Sequence, residues 1–179
     1  MTEGPDAAGV LIAGLFGTGK STIAEEIATR LEHAELAYAA IDLDWLSWFG
    51  TARIDPHRDT SVFLANLSAV VTNYLAAGVR YFVLAGSIGD PGELYELRAA
   101  VPFPVTVIEL EAPWEVVERR LGSSPTAGRL DDLEEVRRQL ETGGTATAAD
   151  AVVDADRSVA DVATAALAVL GWMDGAPAS

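Results

Sequence analysis

The chain has 179 residues, with 12 Lys plus Arg against 27 Asp plus Glu and a formal charge of −15 at pH 7. A chain of this length buries roughly 70% of the surface that its unfolded form exposes, so a single domain needs no metal or disulfide staple. Half of the residues are hydrophobic and 22% are charged, which is a globular composition. The excess of acid argues against nucleic acid or an anionic membrane as partner, since both are held by clustered cations.

With no cysteine, and with His33 and His57 as the only imidazoles, a bound metal would have to be held by oxygen. Met1 to Ala8 lacks a basic-then-apolar signal pattern, and no apolar run reaches the ~20 residues that span a bilayer. The expectation is a cytoplasmic protein. Of its 12 basic residues 11 are Arg, and the single lysine is Lys20.

Apolar β-branched runs alternate with amphipathic stretches, the pattern of βαβ units around a parallel sheet. A strand at Gly9–Ala13 is followed by a helix carrying Ile23, Ile27 and Leu31 at spacing four, then a strand at Leu36–Ile41. A long helix at Ser61–Ala77 puts Phe63, Leu67, Val70 and Tyr74 on one face and ends at Gly78. The strand Tyr81–Ala85, helix Glu93–Ala99, strand Val105–Leu110 and helices Trp114–Leu121 and Leu130–Glu141 come next. The short strand Ala151–Val153 and the helix Val159–Leu170, opened by Ser158 with Asp161 in capping-box spacing, complete the set. Gly122–Gly128 and Thr142–Thr147 read as loops. Residues 174–179 read as a flexible tail, leaving 1–173 as one domain.

Gly14-Leu15-Phe16-Gly17-Thr18-Gly19-Lys20-Ser21 matches G-x-x-x-x-G-K-[ST], between a predicted strand and a predicted helix, where that motif belongs. With this composition a chance match arises in roughly one such sequence in a thousand, so a mere glycine-rich turn is a poor competitor. The glycines let backbone N–H groups converge on an anion, and the helix N-terminus adds its positive dipole end. Lys20 supplies a point charge for the β- and γ-phosphates, and the Ser21 hydroxyl is a magnesium ligand.

Asp42 and Asp44 follow at the C-terminal end of the second strand, the edge where open α/β sheets bind ligands. Alternation along an extended segment points both to one side. One reading makes Asp42 the residue that orients a magnesium-bound water or Lys20, and Asp44 the acceptor of a substrate hydroxyl proton. The other makes Asp44 no more than a helix N-cap.

GLFGTGKST, the later IDLDWL, an arginine-bearing lid and a closing Val-Val-Asp before Ser158 resemble the small P-loop kinases that phosphorylate metabolites or antibiotics. Adenylylsulfate kinase, gluconate kinase, shikimate kinase and chloramphenicol phosphotransferase are of this kind. The resemblance covers most of the chain, although only the P-loop is individually specific. It implies an α/β three-layer sandwich whose five-stranded parallel sheet has the order 2-3-1-4-5, with helices on both faces and a small lid at about 122–129. It also implies transfer of the ATP γ-phosphoryl group to a hydroxyl of a small molecule, with Mg²⁺.

In that resemblance Gly14, Phe16, Gly17, Thr18, Gly19, Lys20, Ser21 and Thr22 hold the nucleotide. Arg120 lies near adenine or phosphate, and Arg129 is the lid cation. Surface salt bridges with Glu118, Asp132 or Glu134 are the alternative for the lid arginines. Arg157 falls where relatives place an adenine-contacting loop, although Ser158 as a cap explains part of that turn. The third strand ends in Gly86-Ser87-Ile88 without the Walker B aspartate of many relatives, so magnesium would rest on Ser21, Asp42, phosphates and water. Gly86 and Ser87 then belong to the acceptor side, or form a simple strand-ending turn.

The acceptor pocket would draw on Asp44, Trp45, Trp48, Phe49, Arg53, His57, Arg58, Asn66 and Asn73. Trp45 and Trp48 are more often core packing than stacking platforms, and the two asparagines serve equally as amides satisfied by neighbouring backbone. Two further functions remain open: a nucleotide switch or ATPase acting through a protein partner, and a nucleoside monophosphate kinase. The last is disfavoured because only Arg53 and Arg58 are placed to meet an acceptor phosphate.

Overall fold

The computed structural model describes residues 7–49, 56–88, 91–122, 137, 138 and 148–173, with backbone only for residues 56–58. Five strands, β1 (Ala8–Gly14), β2 (Tyr38–Asp42), β3 (Tyr81–Ala85), β4 (Val105–Glu111) and β5 (Ala151–Asp154), form one sheet in the order β2-β3-β1-β4-β5. Every neighbouring pair runs parallel. The helices are α1 (Lys20–His33), α2 (Leu43–Ser47), α3 (Pro56–Ala76), α4 (Pro91–Ala100), α5 (Trp114–Gly122) and α6 (Val159–Leu170).

Period-two alternation in β1 distributes the core. Leu11 and Ala13 face one apolar layer with Leu67 and Val71 of α3 and Leu97 of α4, where Phe82 stacks on Phe103 at 4.4 Å. Val10 and Ile12 face the other, with Ile27 and Leu31 of α1 and Val162 and Ala166 of α6. Because helices cover both faces, the central strands are apolar throughout and not alternating. Each fully buried Leu, Ile or Phe here contributes about 1.5–3 kcal/mol.

The element boundaries depart from the sequence expectation where local chemistry intervenes. The sequence pattern puts Leu36 in the second strand, but its N–H donates to the Leu31 carbonyl across Glu35, whose φ is +56°, in the turn that follows the end of α1 at His33, so the strand begins at Tyr38. The long helix starts at Pro56, five residues earlier than expected; proline fits a first helical position because its missing N–H would have no partner there. The one-turn helix α2 was not anticipated at all. Its cap is Asp42, whose side chain accepts from the Asp44 N–H, so the capping role assigned as an alternative to Asp44 belongs two residues upstream. The helix also ends the extended run, and Asp42 and Asp44 are therefore not strand neighbours on one side.

Ser158 caps α6 as expected, accepting from the Asp161 N–H at 3.1 Å and donating to its carboxylate at 2.7 Å. Gly122–Gly128 beyond Gly122 and Thr142–Thr147 lie outside the described residues, as does the tail 174–179. The expected helix Leu130–Glu141 is described only at Arg137 and Arg138, both helical and exposed; Arg137 sits 5.8 Å over the Trp114 ring. Among the described residues no helix is long and apolar enough to cross a membrane.

Candidate functional site

All the loops that leave the carboxyl ends of the strands gather at one edge of the sheet, and two adjoining cavities lie there. The first, about 490 Å³, is lined by residues 16–23 of the β1–α1 loop and α1, by Asp44, by Arg120 and Leu121 of α5, and by Ala155, Arg157, Val159 and Val162 around the start of α6. Its floor is backbone. Gly14 and Gly19 have φ of +135° and +101°, values strained for any residue with a Cβ. A Cβ on Gly14 would stand 2.6 Å from the Leu110 carbonyl, whereas a Cβ on Gly19 would meet nothing within 4 Å. Gly14 lets the strand pass its neighbour. Gly19 opens space at the N-terminus of α1, where unpaired N–H groups and the helix dipole favour an anion.

Lys20 is one of two buried polar residues in the described core, 8% exposed. Its ammonium donates to the carbonyls of Gly14 at 3.0 Å and Leu15 at 3.2 Å, and it lies 4.7 Å from the centre of the Phe16 ring. The loop thus bends back over its own cation and holds it at the mouth of the cleft. Thr18 stiffens the turn, donating to the Leu15 carbonyl at 2.8 Å.

Arg120 ties two walls of the cleft together. Its guanidinium donates to the Thr18 carbonyl at 3.1 Å and to the Ala155 carbonyl at 2.9 Å, joining the β1–α1 loop to the β5–α6 turn that carries Arg157. That role was not legible in sequence, because the two carbonyls are 102 and 35 residues away from Arg120.

Asp42 is the junction of the two sheet-edge loops. One carboxylate oxygen caps α2, and the other accepts from the Ser21 hydroxyl at 2.9 Å. A hydroxyl and a carboxylate side by side beside an anion cradle are hard oxygen donors that suit Mg²⁺. Among the described residues no group of three or more His, Asp or Glu side chains could hold a metal alone, so phosphate oxygens and water would have to complete the shell.

The second cavity, about 230 Å³, is bounded by Leu43, Asp44 and Ser47 of α2, by Asp59, Thr60, Phe63 and Leu64 of α3, by Ser87 and Ile88 after β3, and by Glu93 and Glu96 of α4. The α3 residues form i, i+4 pairs on one face, and Glu93 and Glu96 are i, i+3 neighbours. Asp59 Oδ1 is buried with no hydrogen-bond partner. Among the described residues, Asp44 alone lines both cavities.

The remaining sequence candidates fall in different places. Phe16 to Thr22, Asp44, Arg120 and Arg157 line the first cavity, and Ser87 lines the second. Gly86 is buried against Leu43 and lines neither. Asn66 donates to the Leu46 carbonyl at 2.9 Å, holding α3 to α2 outside both linings, and Asn73 is exposed on the same helix. Trp45 and Trp48 do not enter the core: they are 69% and 73% exposed, with ring centres 5.0 Å apart. Arg53 and Arg129 lie outside the described residues, as do the side chains of His57 and Arg58. Asp59, Thr60, Leu64, Glu93 and Glu96 line the second cavity and are not among the sequence candidates; the i, i+4 repeat at 59/63 and 60/64 marks the α3 face alone.

No family model matches the sequence, and no curated protein is similar to it. Solved structures are similar in fold. A sugar kinase from Janibacter sp. HTCC2649 is 23% identical, covers 96% of each chain and has a TM-score of 0.66. A shikimate kinase from Bacteroides thetaiotaomicron is 16% identical over 92% of this chain and 98% of that one, with a TM-score of 0.64. The APS kinase of Mycobacterium tuberculosis, solved with AMPPNP and APS, is 20% identical over 94% and 99%, with a TM-score of 0.61. The chain therefore has the P-loop fold of the small-molecule kinases, with the sheet order expected from its sequence.

Proposed function

We propose that the protein is an ATP- and Mg²⁺-dependent kinase that transfers the γ-phosphoryl group to a hydroxyl of a small molecule. The observation that carries this reading is the position of Asp44, which among the described residues is the one carboxylate common to the cleft around the glycine loop and to a second, small-molecule-sized cavity. The names of the solved structures with this fold point the same way.

In this reading the glycine loop and the N-terminus of α1 hold the triphosphate, and Lys20 leaves the Gly14 and Leu15 carbonyls to follow the β- and γ-phosphates. Arg120 keeps the phosphate loop at a fixed distance from the turn that carries Arg157, where the base would lie. Ser21 and Asp42 would hold Mg²⁺, which supplies charge neutralisation at the phosphates. Asp44 orients the acceptor hydroxyl and takes its proton as the new P–O bond forms and the bond from the γ-phosphorus to the bridging oxygen breaks, leaving ADP. Arg129 and the segment 122–129 are assigned to charge neutralisation and water exclusion over the nucleotide, and Arg53, His57, Arg58 and Ser87 to the acceptor.

One observation favours a second reading. Trp45, Trp48 and Phe49 give the segment beside Asp44 an exposed aromatic surface, which a nucleotide switch working through a protein partner would use. Incubation with γ-labelled ATP and a panel of sugars, aminoglycosides, nucleosides and adenylylsulfate separates the two. The kinase reading expects label on an acceptor; label only on inorganic phosphate, at a rate no acceptor changes, favours the switch.

A further inference from the structure

We infer that Asp42 and Asn66 are positioning residues that hold α2 by its two ends, and that Asp42 ties the placement of Asp44 to what fills the first cavity; the role of Asp44 itself is taken from the kinase reading. Helix α2 has five residues, Leu43–Ser47. A single turn leaves most of its end groups without partners of its own and does not hold itself in water. Its neighbours supply what it lacks. At the start the Asp44 N–H donates to Asp42 Oδ1 at 3.0 Å, and at the end Asn66 Nδ2 of α3 donates to the Leu46 carbonyl at 2.9 Å. Between them Leu43 is buried, so close to Gly86 that a Cβ on that glycine would meet the Leu43 side chain at 2.9 Å. The turn is pinned by one buried side chain and steered at both ends, and it carries Asp44 as an exposed carboxylate between the two cavities.

The two end contacts differ in what stands behind them. Asn66 belongs to the helix whose Thr60, Phe63 and Leu64 line the second cavity, and so places Asp44 relative to the acceptor side. Asp42 closes β2 in register with Ala85, so its backbone is set by the sheet while its carboxylate is shared: Oδ2 accepts from the Ser21 hydroxyl at 2.9 Å. Ser21 lines the first cavity. One carboxylate thus joins the start of α1 to the start of α2. A hydroxyl beside a bound cation is a stronger donor, so filling the first cavity with nucleotide and Mg²⁺ tightens the Ser21–Asp42 bond and firms the cap on Asp44. A reacting group misplaced by about 1 Å loses ~10²-fold in rate, so a turn that the nucleotide orders brings Asp44 into place when the phosphoryl donor is present. Trp45 and Trp48 ride on the same turn with ring centres 5.0 Å apart, an optical reporter of its order.

Solvent exchange of the Asp44 amide, read by NMR, and the coupled tryptophan band in circular dichroism test this on the full chain, free and with AMPPNP–Mg²⁺ at concentrations shown by calorimetry to saturate. In the wild type the nucleotide should slow that exchange by ~5-fold or more and change the tryptophan band. Asp42→Asn caps as well as aspartate, but with its one oxygen on the Asp44 N–H it turns only an NH₂ group to Ser21. The free variant should match the wild type, and its response to nucleotide should be lost. Ser21→Ala, which removes the donor and leaves Asp42 intact, should lose the response too. Asn66→Ala should speed the exchange in both states and lower kcat ~10-fold at unchanged ATP affinity, whereas a contact that only glues two helices would lower Tm alone. Exchange in the wild type that bound nucleotide does not alter, a full response in either Asp42→Asn or Ser21→Ala, or unchanged exchange in Asn66→Ala overturns the inference. Failure of the kinase reading looks different: the response at Asp44 persists while no acceptor is ever labelled. Transfer without that response keeps the kinase and refutes the coupling, and AMPPNP–Mg²⁺ that does not bind overturns both.

Discussion

The two cavities are built by opposite means. The first cavity, proposed to hold the nucleotide, is lined mostly by one continuous segment, residues 16–23, with its left-handed glycines and single lysine. The second cavity is assembled from side chains of α2, α3, α4 and the end of β3, four segments spread over residues 43–96. Phosphate is the same in every nucleoside triphosphate, so a backbone cradle can be fixed by a short motif. An acceptor differs from one enzyme to the next, so its pocket is written in scattered side chains on a shared fold. Asp44 is where the two designs meet, and the predictions below separate them.

The largest effect expected is from Asp44→Asn. Loss of the proton acceptor should lower transfer by ~10²–10⁴-fold, and nucleotide affinity, which rests on the glycine loop, Lys20 and the N-terminus of α1, should hold. Asp42 and not Asp44 caps α2, so the change should leave the melting temperature close to wild type. Full transfer activity in this variant would move the base elsewhere, with Asp42 the next to test. Lys20→Ala acts on the nucleotide side: transfer should fall by ~10²–10³-fold, with weakened ATP binding, on a folded protein. Turnover near wild type would remove the phosphate-loop assignment.

Gly86→Ala should reach the junction from the core. A methyl there would stand 2.9 to 3.2 Å from the Leu43 side chain, one residue before Asp44. The overpacking should cost about 1–3 kcal/mol in denaturant unfolding and lower the rate of transfer more than the affinity for ATP. Unchanged stability and rate would mean that α2 shifts freely and that Asp44 is not held by the core. The smallest effect is expected from Arg120→Ala, which removes two hydrogen bonds between the phosphate loop and the β5–α6 turn. ATP affinity should drop ~10-fold and the acceptor KM should stay the same. A change confined to the acceptor KM would place Arg120 on the wrong side of the boundary.

This division also explains what could be read from the sequence. Apolar periodicity located all five strands, because strands covered on both faces are nearly continuous apolar runs such as Val10–Ala13 and Phe82–Ala85. The phosphate loop was legible because its chemistry is local: the glycines, Lys20 and Ser21 lie within eight residues. Helix α2 was not, since a single turn has no periodicity and its cap, Asp42, is shared with Ser21 across 21 residues. Trp45 and Trp48 misled in the same way, because aromatic residues beside a strand end are more often core than surface, and only the turn of α2 puts them outside. The carboxylates at 59, 93 and 96 converge through the packing of α3 and α4 against the sheet, a long-range consequence that no local pattern encodes.

A crystal structure of the AMPPNP–Mg²⁺ complex tests the central claim, that the nucleotide lies in the first cavity with its γ-phosphate directed at Asp44 and the second cavity. The account predicts Lys20 Nζ moved from the Gly14 and Leu15 carbonyls onto the phosphates, the metal beside Ser21 and Asp42, and the γ-phosphorus at the boundary where Asp44 stands. A nucleotide bound with its phosphate tail away from Asp44, or with its base filling the second cavity, would contradict it.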